Sequence, residues 1–254
     1  MRILLYQDAT VTIDLDSICA GINRLGTVVK CERGTALFRP PGNRIEYPDS
    51  YANLAENLLR ETAVGDLSVC CTELPYDNNF FFEYAGRTCI LSFSGWNLLT
   101  SLPMENGMVY FIATFLSGDC FRNSQLHQRT TGCISDFLGD KTAVDIGMRS
   151  AFVCASCTRA FEATSPSQAD SELFAAIQLL LTELSRASRA NESIVNYWRR
   201  TQKSSRFDVF MCHNSADKEE VRRVVRDLRI RSIQPWLDEE QLRPGLPWQE
   251  ALEE

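Results

Sequence analysis

Four residues in the middle of the chain have the types and spacing of a metal site. They are His127, Cys133, Cys154 and Cys157, read as His-x5-Cys-x20-Cys-x2-Cys. Soft thiolates and an imidazole suit a tetrahedral zinc ion, and the two-residue gap in Cys154-Ala-Ser-Cys157 lets both sulfurs face one ion. The second pair of ligands is Cys133 with either His127 or Cys120. Such a closed set predicts a structural zinc that ties down an otherwise weakly held loop region. Its four ligating atoms are expected within about 4 Å of one another. Without a metal these cysteines would act as buried apolar side chains.

A second group lies near the C-terminus. Phe207–Met211 reads as a strand, and His213, Asn214, Ser215 and Asp217 follow it at the start of a helix. Trp236 and Asp238 stand at the end of the next strand. Ligands of parallel sheets bind beyond the carboxyl ends of strands. A helix N-terminus there favours an anionic group such as a pyrophosphate. These six residues are therefore the candidate nucleotide-binding set. The plainer reading makes Asn214 or Ser215 a helix cap and Trp236 a core residue. The run Asp238-Glu-Glu240 reads as a solvated loop, because adjacent carboxylates point in different directions. The chain has two histidines, His127 and His213, and no His-Glu-x-x-His.

These groups need a frame to hold them. Of 254 residues, 44% are hydrophobic and 23% charged, the balance of a soluble globular protein with a core. The net charge of −7 argues against bulk nucleic-acid binding, which usually needs a basic face. The arginines at 222–229 then read as a solvated helix face. No apolar run approaches the roughly 20 residues that span a bilayer. The N-terminus turns polar too early for a signal peptide. A cytoplasmic location follows as the expectation, with the ten cysteines reduced rather than paired.

Periodicity predicts strands at Arg2–Tyr6, Thr27–Cys31, Leu67–Thr72 and Thr88–Phe93. It predicts helices over 15–25, 51–60 and 170–187, while the apolar run 106–116 reads as a buried helix or a strand, its length favouring a helix. Arg39–Asn43 and Pro75–Asn79 read as loop and turn. The alternation indicates a mixed α/β domain over 1–187. A partly helical linker is expected at 188–205, followed by a βαβ unit over 206–254 with parallel strands.

That last unit resembles the TIR domain, particularly the bacterial kind. The residues carrying the resemblance are Phe207-Asp-Val-Phe-Met-Cys-His-Asn-Ser-Ala-Asp-Lys218, then Trp236-Leu-Asp-Glu239, Leu242-Arg-Pro-Gly245 and Trp248. Three segments match in order and spacing, over the last fifty or so residues. The resemblance implies the first βαβ part of a flavodoxin-like fold. It implies a nucleotide pocket flanked by the loops after the two strands, and self-association through TIR surfaces. Many members of the family cleave NAD at the nicotinamide–ribose bond, using a glutamate beyond the third strand. The expectation is a signalling or innate-immune effector whose longer form is an NAD nucleosidase with NAD as substrate. No residue of 206–254 is expected to supply the catalytic glutamate. The alternative is a non-enzymatic protein–protein interaction module.

Residues 1–187 resemble, more faintly, the archaemetzincin-like metallopeptidases. Cys133-Ile-Ser-Asp-Phe137 and Phe152-Val-Cys-Ala-Ser-Cys157 echo a cysteine cluster that follows the catalytic helix in that family. A zincin, however, needs His-Glu-x-x-His on one helix face. Without it, the resemblance implies a degenerate domain that senses or scaffolds and cleaves no peptide.

Overall fold

The computed structural model describes residues 1–35, 42–46, 66–121, 126–204, 209–211, 213, 217–230, 233 and 235–237. The helix expected over 51–60 lies outside these residues, as does everything after Leu237. The chain divides into two compact units, Met1–Tyr197 and Trp198–Glu254.

The first unit is built on a sheet of β1 (Arg2–Gln7), β2 (Lys30–Arg33), β3 (Leu67–Thr72), β4 (Phe82–Ala85) and β5 (Thr88–Ser92), in the order β2-β1-β3-β5-β4. Its first four members in that order are parallel, and β4 pairs antiparallel with β5 at the edge. In register, Tyr6 faces Cys70 and Cys70 faces Ile90. Every residue of β3 and β5 is buried, as a parallel sheet covered on both faces requires. That is why these strands show as continuous apolar runs. One face holds a cluster of Leu4, Tyr6, Ile45, Cys70, Tyr76 and Ile90. The second strand begins at Lys30, three residues later than periodicity suggests, because its register pairs Lys30 with Arg2, the first residue of β1.

Eight helices are described. α1 (Leu15–Arg24) is capped by the Asp14 side chain, which accepts from Ser17 N. α2 (Trp96–Leu99) leads into α3 (Met104–Cys120). α3 is apolar nearly all round and buried from Asn106 to Ala113, the signature of a helix packed on every side. Its Phe111 and Phe115 meet Phe82 of β4 at ring-centroid distances of 5.7 and 4.8 Å. α4 (Ala143–Ser150) and α5 (Ala155–Glu162) are short. α6 (Gln168–Arg189) starts with a capping box: Asp170 N donates to Ser167 Oγ and Ser167 N to Asp170 Oδ2. Its stripe of Leu173, Ile177, Leu180, Leu181 and Leu184 is buried, and each such side chain contributes about 1.5–3 kcal/mol. α7 (Ile194–Ser204) covers most of the expected linker.

Asn106 joins α3 to the α6–α7 connection. Its Nδ2 donates to Ser188 Oγ and Glu192 O, both at 3.1 Å, and its Oδ1 accepts from Ile194 N at 2.9 Å.

In the second unit β6 (Val209–Phe210) and β7 (Pro235–Trp236) pair in parallel, with α8 (Lys218–Ile230) between them in sequence. α8 buries Val225 while Arg222, Arg223 and Arg226 are not buried. Among the described residues no helix is long and apolar enough to cross a membrane.

Candidate metal centre and strand-end site

The metal candidates converge. One ligand atom from each of His127, Cys133, Cys154 and Cys157 lies within 4.8 Å of all the others. His127 Nε2 is 3.3 Å from Cys157 Sγ and 3.8 Å from Cys154 Sγ, and Cys133 Sγ is 3.9 Å from Cys157 Sγ. A tetrahedral zinc with Zn–S bonds of about 2.3 Å places its sulfurs roughly 3.8 Å apart. The overall spread is looser than the expected 4 Å, yet the three separations above are close to tetrahedral edges. Three sulfurs and an imidazole nitrogen are a donor set that fits zinc. Cys120 is buried at the end of α3 and is not in this group.

Two short elements position the four residues. Cys154 is the N-cap of α5, where its sulfur accepts from Cys157 N, so both cysteines of the pair sit in one helical turn. His127 and Cys133 lie on a knuckle with little regular structure. His127 N donates to Ser135 O and Phe137 N to His127 O, both at 2.9 Å. An isolated bridge joins Cys133 to Phe152, with Ile134 N donating to Phe152 O. Gly132 at the turn has φ +85°, and a Cβ there would stand 2.4 Å from Ser150 Cβ. Only glycine fits that approach.

Asp136 organises the knuckle from within. This buried carboxylate accepts from Thr131 N at 2.6 Å, Gly132 N at 2.7 Å and Thr131 Oγ1 at 2.8 Å, and lies 3.0 Å from His127 Nδ1. Burial works to raise its pKa, but these bonds together hold it below the usual carboxylate range. Sequence reasoning did not single out Asp136. The only signal was Thr-Gly-x3-Asp, a turn glycine followed by a carboxylate.

The sulfurs differ electrostatically. Burial pushes the Cys133 thiol up to about 12. Burial also acts to raise Cys154, but the Ser156 hydroxyl at 2.9 Å and the Cys157 N–H draw it down to about 6. A lowered thiol at a helix N-terminus is the ionised form that a cation needs.

The second candidate site is the carboxyl edge of the β6–β7 pair. Phe210 is in register with Trp236, their rings stacked at 4.6 Å, and Met211 N donates to Trp236 O at 3.0 Å. His213 Nδ1 lies 3.2 Å from Met211 O, just past β6. Trp236 is buried at the end of β7, and Asp217 is exposed at the start of α8. His213 just past β6 and Trp236 at the end of β7 thus stand at the same, carboxyl ends of two paired parallel strands. Asn214, Ser215 and Asp238 lie outside the described residues.

Comparison with known proteins divides along the same line. Residues 209–254 match the model of the TIR domain family. The N-terminal part of the chain is similar to two solved structures. One is a zinc-dependent peptidase from Methanocorpusculum labreanum, at 11% identity and a TM-score of 0.42. The other is the archaemetzincin from Archaeoglobus fulgidus, solved with malonate, at 14% identity and a TM-score of 0.40. Each comparison covers 63% of this chain and 99% of the other. No curated protein matches the chain.

Proposed function

We propose that this protein is a TIR signalling effector, in which a zinc-stabilised N-terminal domain is coupled to a TIR unit that self-associates. The observation that carries the reading is the TIR match at 209–254, supported by the parallel β6–β7 pair in that segment. In this reading the protein with a complete TIR domain cleaves NAD in the cytoplasm, as part of an innate-immune response. The pyrophosphate approaches the N-terminus of α8, with His213, Asn214, Ser215, Asp217, Trp236 and Asp238 around the nucleotide. The test is nicotinamide release from NAD by the protein carrying the whole TIR domain, with a crowding agent to promote assembly. Trp236→Ala is expected to reduce turnover at least tenfold. Turnover unchanged by that substitution would remove Trp236 from the pocket. Absence of any turnover would favour the second reading, a non-enzymatic interaction module. That alternative draws on the apolar surface left by Phe210 and Val224, which are 51% and 42% exposed.

The His127, Cys133, Cys154 and Cys157 group is proposed as a structural zinc site. Bound there, zinc would supply folding energy rather than an open coordination position, since the protein provides all four ligands. Metal analysis of the purified chain is expected to give one zinc per molecule, lost in Cys154→Ser and in Cys157→Ser. Stoichiometric zinc that survives both substitutions would refute the assignment.

A further inference from the structure

We propose that Cys154 and Cys157 form an oxidant-sensitive pair, which hydrogen peroxide converts to a disulfide, dismantling the four-residue group. The inference deepens the zinc reading and takes from it one consequence, release of the ion.

Accessibility selects Cys154. Among the described cysteines it alone is not buried. Chain geometry selects its partner. Cys157 sits in the same helical turn, its N–H aimed at Cys154 Sγ. Cys133, which shares the group whose atoms lie within 4.8 Å, comes from a separate segment and must move with the knuckle to pair. Cys157 is itself buried, which shields it from direct attack and leaves it the resolving role. The pair Cys19 and Cys31 shows why nearness alone is not enough. Their sulfurs are 3.2 Å apart, but the residues are 7% and 1% exposed, so peroxide has no route to either.

The chemistry balances. Cys154 Sγ attacks one peroxide oxygen, forming an S–O bond as the O–O bond breaks, and the departing hydroxide takes a proton to leave as water. Cys157 Sγ then attacks that sulfur, forming the S–S bond as the S–O bond breaks, and a second water leaves. The two sulfurs lose two electrons and one peroxide becomes two waters. The protons come from the thiols, or from solvent where the sulfurs are already ionised. His127 and Cys133 remain, too few to close a tetrahedral site. The knuckle then loses the ion as its tie to α5 and keeps the bond from Cys154 N to Cys133 Sγ.

The test uses the full 254-residue chain, treated with graded hydrogen peroxide. Free thiols are alkylated, disulfides are mapped by peptide mass spectrometry, and released zinc is read with a chromogenic chelator. The expected result is a Cys154–Cys157 disulfide forming in step with zinc release, while Cys19 and Cys31 stay reduced. Cys154→Ser is expected to abolish the disulfide. Cys157→Ser is expected to leave a sulfenic acid at Cys154 that dimedone traps. A disulfide appearing first at Cys133 or at Cys19–Cys31 would overturn the proposal. So would a pair that stays reduced at peroxide levels that oxidise free glutathione. Formation of the disulfide in protein that never held zinc would uphold the thiol pair and sink the zinc reading. Zinc-loaded protein with an inert pair would do the reverse.

Discussion

His127 Nδ1 lies 3.0 Å from Asp136 Oδ1, while the same ring's Nε2 lies 3.3 Å from Cys157 Sγ. A carboxylate at Nδ1 holds the proton on that nitrogen and leaves the Nε2 lone pair for an ion, the carboxylate–histidine–metal arrangement. Asp136→Asn keeps the shape but supplies a neutral amide. Zinc affinity is expected to fall about 10- to 100-fold, measured by competition with a chelator of known affinity. Unchanged affinity would make Asp136 a brace for the turn and nothing more.

Gly132 tests the knuckle from the backbone. Its φ of +85° and the 2.4 Å approach of a virtual Cβ to Ser150 make alanine there both strained and crowded. Gly132→Ala is expected to destabilise the first unit by about 2 kcal/mol or more and to lower zinc occupancy with it. Chemical denaturation and metal analysis of the same preparations check this. A variant as stable as its parent would mean that Ser150 moves aside.

Much of this frame was legible from pattern alone. β3 and β5 show as apolar runs because both faces are covered, and α6 because its leucines repeat at helical spacing. β4 did not show. Phe82-Glu-Tyr-Ala85 is an edge strand with no buried residue, so hydrophobic periodicity had nothing to register. α4 and α5 were missed because eight-residue helices carry barely two turns of pattern. At the metal centre, ligand types and spacing pointed to His127, Cys133, Cys154 and Cys157. They could not choose between His127 and Cys120, since that choice depends on where the knuckle folds back. Asp136 was invisible for the same reason: its role comes from three-dimensional contacts with Thr131, Gly132 and His127.

Asn106 is a buried polar side chain with its amide fully engaged. Asn106→Leu removes the acceptor for Ile194 N and one donor to the half-buried Glu192 O, and leaves the buried Ile194 N–H without that acceptor. The expected loss is about 2–4 kcal/mol, read as a lower denaturation midpoint with an unchanged denaturant slope. A loss below about 0.5 kcal/mol would mean that water enters and takes over the bonds.

Asp145 gives the first unit a pH dependence. It accepts from Arg149 Nε at 2.8 Å and from Thr100 Oγ1 at 2.6 Å. Burial opposes the charge, yet the bonds from Arg149 and Thr100 outweigh it, and the carboxyl titrates below its ordinary value. A depressed carboxyl contributes its full stability above the unfolded pKa of about 3.9. That contribution is lost as pH falls through the folded value. The stability gap between the parent and Asp145→Asn is therefore expected to be constant above about pH 5 and to close below about pH 4. Urea denaturation across that range measures it. A gap that widens on acidification would show the sign to be wrong.

Zinc removal should act locally. The knuckle around His127 and Cys133 is held by two isolated bridges, the Asp136 bonds and the four-residue group. The sheet has its own continuous ladder and a core on both faces. Chelation at neutral pH is therefore expected to speed hydrogen exchange at the amides of Gly132, Asp136, Phe137 and Cys157. Protection at Val69, Cys70 and Ile90 should be kept, because β3 and β5 open only with the whole unit. Re-addition of zinc should restore the slow pattern, and Asp136→Asn should restore it only at higher zinc. Exchange rising equally in sheet and knuckle would mean that the metal group supports the entire unit. No change at the knuckle would mean that its backbone bonds suffice, and the four residues would then have no structural need of an ion.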